Sequence, residues 1–185
     1  MEKQIPAREL TLAALMAALT AVGAFIRVPT PWSAFSMQVF FVLMAGVLLG
    51  PKYGALSQGV YIALGLLGLP IFISGGGPMY ALQPTFGFLL SYIPMAAVVG
   101  HLCRREEAPG FWRIVGACLV GECVMYAIAL PYMGGILNLY LGQNMTVGQI
   151  LMSGMVLFLP YDAVKVVLAA LLGQKLIPAL RRLKR

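Results

Sequence analysis

LTLAALMAALTAVGAFI, from Leu10 to Ile26, is the first apolar segment of the chain, and its 17 residues include no charged side chain. A helix that crosses a bilayer needs roughly 20 mainly apolar residues. Lys3 and Arg8 precede the segment, as in a secretory signal peptide, but the apolar part of a signal peptide has only about 7 to 15 residues, and a second membrane segment follows here. We therefore predict that residues 9–27 form a retained transmembrane helix.

The composition of the whole chain agrees with this interpretation. Of its 185 residues, 61% are hydrophobic and 10% are charged, whereas a soluble domain has about 25% charged residues. A water-soluble fold is excluded, and the length accommodates about six spans with short loops. We predict an all-α membrane protein, in which residues 1–185 form a single helix bundle with the functional residues inside it.

Proline, glycine and charged residues interrupt the apolar pattern and mark the ends of the spans. They divide the chain into six predicted transmembrane helices, at residues 9–27, 36–50, 53–69, 85–103, 111–132 and 147–175. An even number of spans places both termini on the same side of the membrane.

The basic residues indicate which side this is. On the predicted topology, one face collects almost all of the 13 lysines and arginines, namely Lys3, Arg8, Lys52, Arg104, Arg105, Arg113, Lys175, Arg181, Arg182, Lys184 and Arg185. Arg27 alone lies on the opposite face, and Lys165 lies within the last span. The positive-inside rule then places both termini in the cytoplasm. The +7 net charge therefore reflects membrane orientation, since no basic stripe interleaved with aromatic residues indicates nucleic-acid binding.

Three loops on the outer face differ in character from the inner ones. Residues 27–36, 70–84 and 132–146 are long, nearly uncharged and rich in glycine, proline, tyrosine and asparagine. We interpret them as lids that fold over a pocket open to the outside. The alternative is that they are constrained connections between helices.

The last predicted span contains an acid and a base, Asp162 and Lys165, in otherwise apolar sequence. A charge at a helix centre costs about 2.5 to 3.5 kcal/mol on insertion scales, so such residues are candidates for a functional site. Their spacing places both on one helix face, and Pro160 is expected to kink the helix beside them. The alternative is a buried ion pair that only neutralises itself. Glu122 is a weaker candidate, interpreted as a structural partner of a neighbouring helix, and His101 is expected at the inner interface.

Small residues follow two four-residue spacings in the first helix. Ala13, Ala17 and Ala21 form one series, and Ala14 and Ala18 form another. Such stripes let a second helix backbone approach closely. We predict a docking surface for another membrane subunit, with ordinary packing inside the bundle as the alternative.

Other chemistries find little support in the sequence. The glycines of residues 75–78 lack the lysine and the preceding strand of a phosphate-binding loop. His101 is the sole histidine, and Cys103, Cys118 and Cys123 lack metal-ligand spacing. We therefore expect neither an enzyme nor a bound metal or cofactor.

Five short stretches, taken in order, resemble a known family: GPKYGALSQ at residues 50–58, GLLGLPIF at 65–72, GGGP at 75–78, PTFGF at 84–88 and PYDAVK at 160–165. They are similar to the BioY family, the biotin-binding S components of energy-coupling-factor transporters. The resemblance implies a six-helix subunit that binds biotin from outside. It also implies docking to a membrane coupling subunit that carries two ATPase subunits.

The candidate site residues suit the groups of biotin, which has two ureido N–H donors, a ureido carbonyl, a thioether ring, an aliphatic tail and a carboxylate. Asp162 suits a ureido N–H, and Lys165 suits either the carboxylate or the ureido carbonyl, so both orientations of biotin remain open. The further predicted polar contacts are Gln83, Thr85, Tyr92 and Asn138. The rings predicted to cover the ligand are Trp32, Tyr80 and Phe86.

Two other functions compete with this one. A self-contained proton-coupled carrier would use Asp162, Lys165 and Glu122 as a proton relay. A membrane enzyme acting on a lipid or peptide is disfavoured, because nucleophile and metal motifs are missing.

Overall fold

The computed structural model describes residues 7–29, 34–104 and 109–182. Its helices are α1 (Ala7–Phe25), α2 (Gln38–Leu66), α3 (Phe86–Cys103), α4 (Phe111–Gly135), α5 (Val147–Leu151) and α6 (Leu159–Arg182). Strands β1 (Arg27–Pro29) and β2 (Ala34–Ser36) form an antiparallel pair. A 3-10 helix covers Pro78–Leu82, and two π-helical segments cover Ile136–Tyr140 and Met152–Val156.

Within the described residues, five helical segments are long and apolar enough to cross a membrane. They are Ala7–Phe25, Gln38–Leu66, Phe86–Arg104, Phe111–Tyr140 and Val147–Leu180. The predicted all-α membrane class is confirmed. The predicted second and third spans lie in the two halves of α2, which a kink at Gly50 separates.

Helix α2 folds back on itself at Gly50, where φ is 76° and ψ is −173°. A positive φ is accessible to glycine at little cost, and Pro51 follows directly. The amide Nε2 of Gln38 donates to the Tyr61 hydroxyl at 2.6 Å, although a straight helix would separate residues 23 positions apart by about 35 Å. The two halves of α2 therefore lie side by side. Gly100 of α3 packs against this bend, where a Cβ would come within 2.3 Å of the Gly50 carbonyl carbon.

The described residues of the three segments predicted as outer loops meet at one end of the bundle, which we call the loop end. Arg27 of β1 donates a hydrogen bond to the carbonyl of Ile73. The Tyr132 hydroxyl donates to the carbonyl of Ala81. These bonds connect the β1–β2 hairpin and the end of α4 to the segment between α2 and α3.

The opposite end, which we call the basic end, brings the start of α1 and the end of α6 together. Arg8 donates to the Leu180 carbonyl at 2.9 Å. Arg104 donates to the carbonyl of Leu49, next to the bend of α2. These arginines bond to carbonyls in the last turns of helices, which lack intrahelical partners.

Packing between the helices creates an interior that is mainly apolar. Helix α2 packs against α1 and α3, α3 packs against α4, and α6 contacts both α2 and α4. The largest buried side chains include Tyr61, Phe72, Leu43, Leu49 and Met95. The polar interior positions that matter below lie where α2, α4 and α6 approach the loop end.

Candidate functional site

Asp162 and Lys165 form an ion pair inside the bundle. Lys165 Nζ lies 2.8 Å from Asp162 Oδ1, and the Tyr126 hydroxyl donates to Asp162 Oδ2. Asp162 is 1% exposed and Lys165 is 6% exposed. Both carboxylate oxygens therefore have donors, as a charge removed from water requires.

The local structure of α6 explains how an acid is accommodated at this depth. Helix α6 begins at Leu159, after the π-helical segment Met152–Val156, and Asp162 lies in its first turn. Pro160 also lies in this turn, where its missing N–H costs no intrahelical bond. The positive end of the helix dipole stabilises a carboxylate there.

A cavity of about 40 Å³ lies next to the ion pair. Its polar lining consists of Asp162, Lys165, Gln38, Ser36 and Thr85. Its aromatic lining consists of Tyr80, Tyr92, Tyr126, Phe88 and Phe158. A few polar groups among aromatic and apolar side chains are the usual arrangement of a small-molecule site.

The structure brings five of the predicted binding residues together around this cavity: Asp162, Lys165, Thr85, Tyr92 and Tyr80. Phe86 is buried just behind it, with its ring centroid 6.4 Å from that of Tyr80 and 6.0 Å from that of Tyr132. Trp32 lies outside the described residues. The part that each residue plays in binding stays a prediction.

Gln83 and Asn138 lie elsewhere. Gln83 is exposed at the end of the 3-10 helix. The Asn138 side chain accepts from the Met145 backbone N–H at 2.7 Å and donates to the Met145 carbonyl at 2.9 Å. Asn138 thus ties the π-helical segment Ile136–Tyr140 to Met145, and neither Gln83 nor Asn138 is among the residues that line the cavity.

Gln38 is a polar cavity residue that the sequence interpretation missed. Its amide joins a buried chain of hydrogen bonds, which runs from the Ser36 hydroxyl to Gln38 at 3.2 Å and from Gln38 to the Tyr61 hydroxyl at 2.6 Å. Tyr61 in turn donates to the Ile71 carbonyl at 3.0 Å. In the sequence, Gln38 is marked only as a single amide side chain at the start of the apolar segment that forms α2.

Tyr126, Phe88 and Phe158 were missed as well, because aromatic residues in apolar spans are indistinguishable from lipid-facing ones by sequence. Phe158 packs on Phe35 of β2, with ring centroids 4.5 Å apart. Phe88 lies 6.5 Å from Phe158 and 6.4 Å from Tyr126, measured between ring centroids. These contacts join the aromatic rings on one side of the cavity to Phe35.

Glu122 lies one helical turn before Tyr126 on α4 and is also buried. Its Oε1 atom has no hydrogen-bond partner among the described residues. Glu122 does not line the cavity next to Asp162. Among the described residues, no group of three or more His, Cys, Asp or Glu side chains is arranged to hold a metal ion.

The alanines of α1 divide between two faces. Ala13 and Ala17 are buried against α2, where Ala13 packs in a cluster with Ala45 and Leu49. Ala14 and Ala18 are exposed on the opposite face, and Ala21 is partly buried. The first pair therefore packs inside the bundle, and the second remains available to a partner or to lipid.

Fold and cavity together define a class: a multi-pass membrane protein with a small cavity of polar and aromatic residues between helices at the loop end. The BioY family model matches residues 1–182. The chain belongs to the BioY family.

Individual relatives match over nearly the whole chain. A protein named probable biotin transporter BioY, from Lysinibacillus sphaericus, is 40% identical, and the match covers 98% of this chain and 92% of that protein. The biotin transporter BioY of Thermotoga maritima is 34% identical, over 91% of this chain and 95% of that protein. The crystal structure of an S-component for biotin from an ECF-type ABC transporter has a TM-score of 0.81 at 24% identity, over 95% of this chain and 94% of that one. This similarity shows a shared fold.

Proposed function

We propose that this chain is the biotin-binding S component of an energy-coupling-factor transporter, which captures biotin from outside the cell. The observation that carries the proposal is the cavity at the loop end, where one acid, one base, an amide and hydroxyl groups meet among aromatic rings. The names of the relatives supply the ligand, since they are biotin transporters.

The lining of the cavity suits the chemistry of biotin. Asp162 is suited to accept from a ureido N–H, and Lys165 and the hydroxyl groups are donors for carbonyl or carboxylate oxygens. Phe88, Phe158 and Tyr80 supply apolar surface for the thioether ring. Because the polar groups are few and buried, a ligand that leaves any of them unpaired is rejected.

The direct test is ligand binding by the purified chain in detergent. Labelled biotin is expected to bind saturably and to be displaced by unlabelled biotin, but not by thiamine or riboflavin at the same concentration. Absence of saturable binding, or equal displacement by the other vitamins, would reject the proposal.

We also propose that the chain crosses the membrane six times, with both termini in the cytoplasm. The bend at Gly50 supports two crossings within α2, and the Arg8–Leu180 hydrogen bond supports termini on the same side. The excess of Lys and Arg at that end supports a cytoplasmic location. In sealed right-side-out vesicles, epitope tags at the two termini should both resist added protease, and cleavage of either tag would contradict this topology.

The partner of the S component is proposed to be a membrane coupling subunit that carries two ATPase subunits, since this chain has no nucleotide-binding motif of its own. Ala14 and Ala18 on the exposed face of α1 offer the site of close helix approach. The same face presents exposed Leu10, Leu15 and Val22. We propose this face as the docking surface.

Ala14→Leu is expected to reduce recovery of the coupling subunit in pull-downs at least about tenfold, while biotin affinity stays within about threefold of the wild type. The leucine side chain holds the two helix backbones apart but lies outside the bundle. Ala127→Leu is the matched control, because Ala127 is an exposed alanine of α4. Normal recovery with Ala14→Leu, or equal loss with both variants, would remove α1 as the docking helix.

A further inference from the structure

We propose that a second cavity, between the β1–β2 hairpin and α6, holds the carboxylate of the bound ligand, with Arg27 and Lys165 as its cationic partners. This side cavity, as we call it, is lined by both residues together with Phe35, Ser36 and Tyr161. The inference rests on the proposed function, because it assigns one end of biotin to a particular place.

The sizes of the two cavities support a ligand that extends across both. The cavity next to Asp162 measures about 40 Å³, far below the range of roughly 300 to 1,000 Å³ that is usual for ligand pockets. The side cavity measures about 240 Å³, so the two together approach the lower end of that range. Ser36 and Lys165 line both cavities.

The charges around the side cavity favour an anion. Two cations line it, and no acidic residue is among its described lining residues. The outer segments 27–36, 70–84 and 132–146 contain no aspartate or glutamate. Asp162 is the nearest acid on α6, and its two oxygens already accept from Lys165 and Tyr126. An incoming carboxylate therefore meets positive charge without an adjacent uncompensated acid.

Arg27 is well placed to bind a carboxylate near the first cavity. Its guanidinium donates to the carbonyl of Ile73, whose side chain lines that cavity. This bond uses one N–H of a group that has five, and a guanidinium can bind a carboxylate with two parallel bonds. Lys165 has three N–H donors, so it can retain Asp162 while donating to the ligand.

The apolar walls of the side cavity fit the tail that leads to the carboxylate. Phe35 stacks on Tyr161, with ring centroids 4.3 Å apart and an interplanar angle of 29°. Ile26 and Met37 contribute further apolar lining. An aliphatic tail along this wall places the ring end of biotin beside Asp162 and Tyr126.

The test compares biotin with its primary amide, which is almost the same shape but uncharged, in binding to wild type and Arg27→Gln. We expect the wild type to prefer biotin at least about tenfold, because a charge-assisted bidentate contact is lost with the amide. In Arg27→Gln, the preference should fall at least about threefold, since Lys165 remains as the second cation, with the affinity for the amide unchanged. Lys52→Gln is the charge-matched control, since Lys52 is exposed at the basic end, and it should keep the wild-type preference.

The possible results distinguish the proposed carboxylate site from the choice of biotin as the ligand. An undiminished preference for biotin in Arg27→Gln would overturn the carboxylate site. A parallel loss of biotin and amide binding would also overturn it, since Arg27 would then act only by holding Ile73 in place. Failure of the wild type to bind either compound would instead reject biotin as the ligand, and with it the proposed function.

Discussion

Biotin binding is expected to weaken at least about 30-fold when Asp162 is replaced by asparagine or Lys165 by alanine. Each replacement removes one member of a buried pair whose charged atoms lie 2.8 Å apart. Truncating one partner of such a pair costs roughly 2 to 5 kcal/mol, and about 1.4 kcal/mol corresponds to a factor of ten in affinity. Titration of labelled biotin into the purified variants measures the loss.

The double variant Asp162→Asn, Lys165→Ala separates a ligand contact from a structural pair. It leaves no uncompensated buried charge, so a protein that needs the pair only for its own integrity should regain binding. If the pair contacts biotin, the double variant should remain folded in detergent and still fail to bind. Recovery of binding would assign Asp162 and Lys165 to structure alone.

Lys175→Ala provides the matched control for the loss of a lysine from α6. Lys175 lies on the same helix but is exposed toward the basic end. Its replacement should leave biotin affinity unchanged. Size-exclusion chromatography of all variants in the same detergent distinguishes loss of the site from loss of the fold.

The helices could be predicted from the sequence because the bilayer imposes a strong requirement for length and apolarity. The Gly50–Pro51 pair marked a boundary between two predicted spans, and α2 bends at that position. The sequence did not reveal how the two halves on either side of this kink pack against each other. A single residue with positive φ reverses the chain, and this depends on Gly100 of α3 fitting against it.

The sequence revealed the site residues whose side chains are costly to place in a membrane. It did not reveal the site residues that carry no such cost. Asp162 and Lys165 are conspicuous because each charge is expensive at that depth. Gln38 and Tyr126 belong to the same cavity, but their partners Tyr61 and Asp162 lie 23 and 36 positions away. No local pattern encodes such long-range pairs.

For the alanines of α1, the sequence pattern also leaves open which residues face the interior of the bundle. Four-residue spacing places Ala13 with Ala17 and Ala14 with Ala18, and both stripes satisfy the rule for close helix packing. Which stripe faces inward depends on the position of α2, which α1 contacts with Ala13 and Ala17. The pattern predicted a packing surface, and only the fold separates the inner stripe from the outer one.

Gly65→Ala is expected to weaken biotin binding at least about 30-fold, through the segment that follows α2. A Cβ at Gly65 would lie 2.0 Å from Cζ of Phe72, so the ring must leave its position. Phe72 is 1% exposed and packs between Tyr61 and Tyr80, with ring centroids 5.4 and 4.7 Å away. Truncating a buried phenylalanine to alanine costs about 3 to 5 kcal/mol of folding stability, so forcing this ring from its place strongly perturbs the segment that it anchors.

Phe72 anchors this segment, and both Ile73 and Tyr80 line the cavity, so displacing the ring removes part of the site. Gly59→Ala is the matched control, because it lies in the same half of α2 and has no atom within 4 Å of an added Cβ. It should bind biotin as the wild type does. Combining Gly65→Ala with Phe72→Ala should bind no worse than Phe72→Ala alone, because the added methyl then has no ring to displace. Equal affinity of the Gly65→Ala and Gly59→Ala variants would show that the anchor does not shape the site.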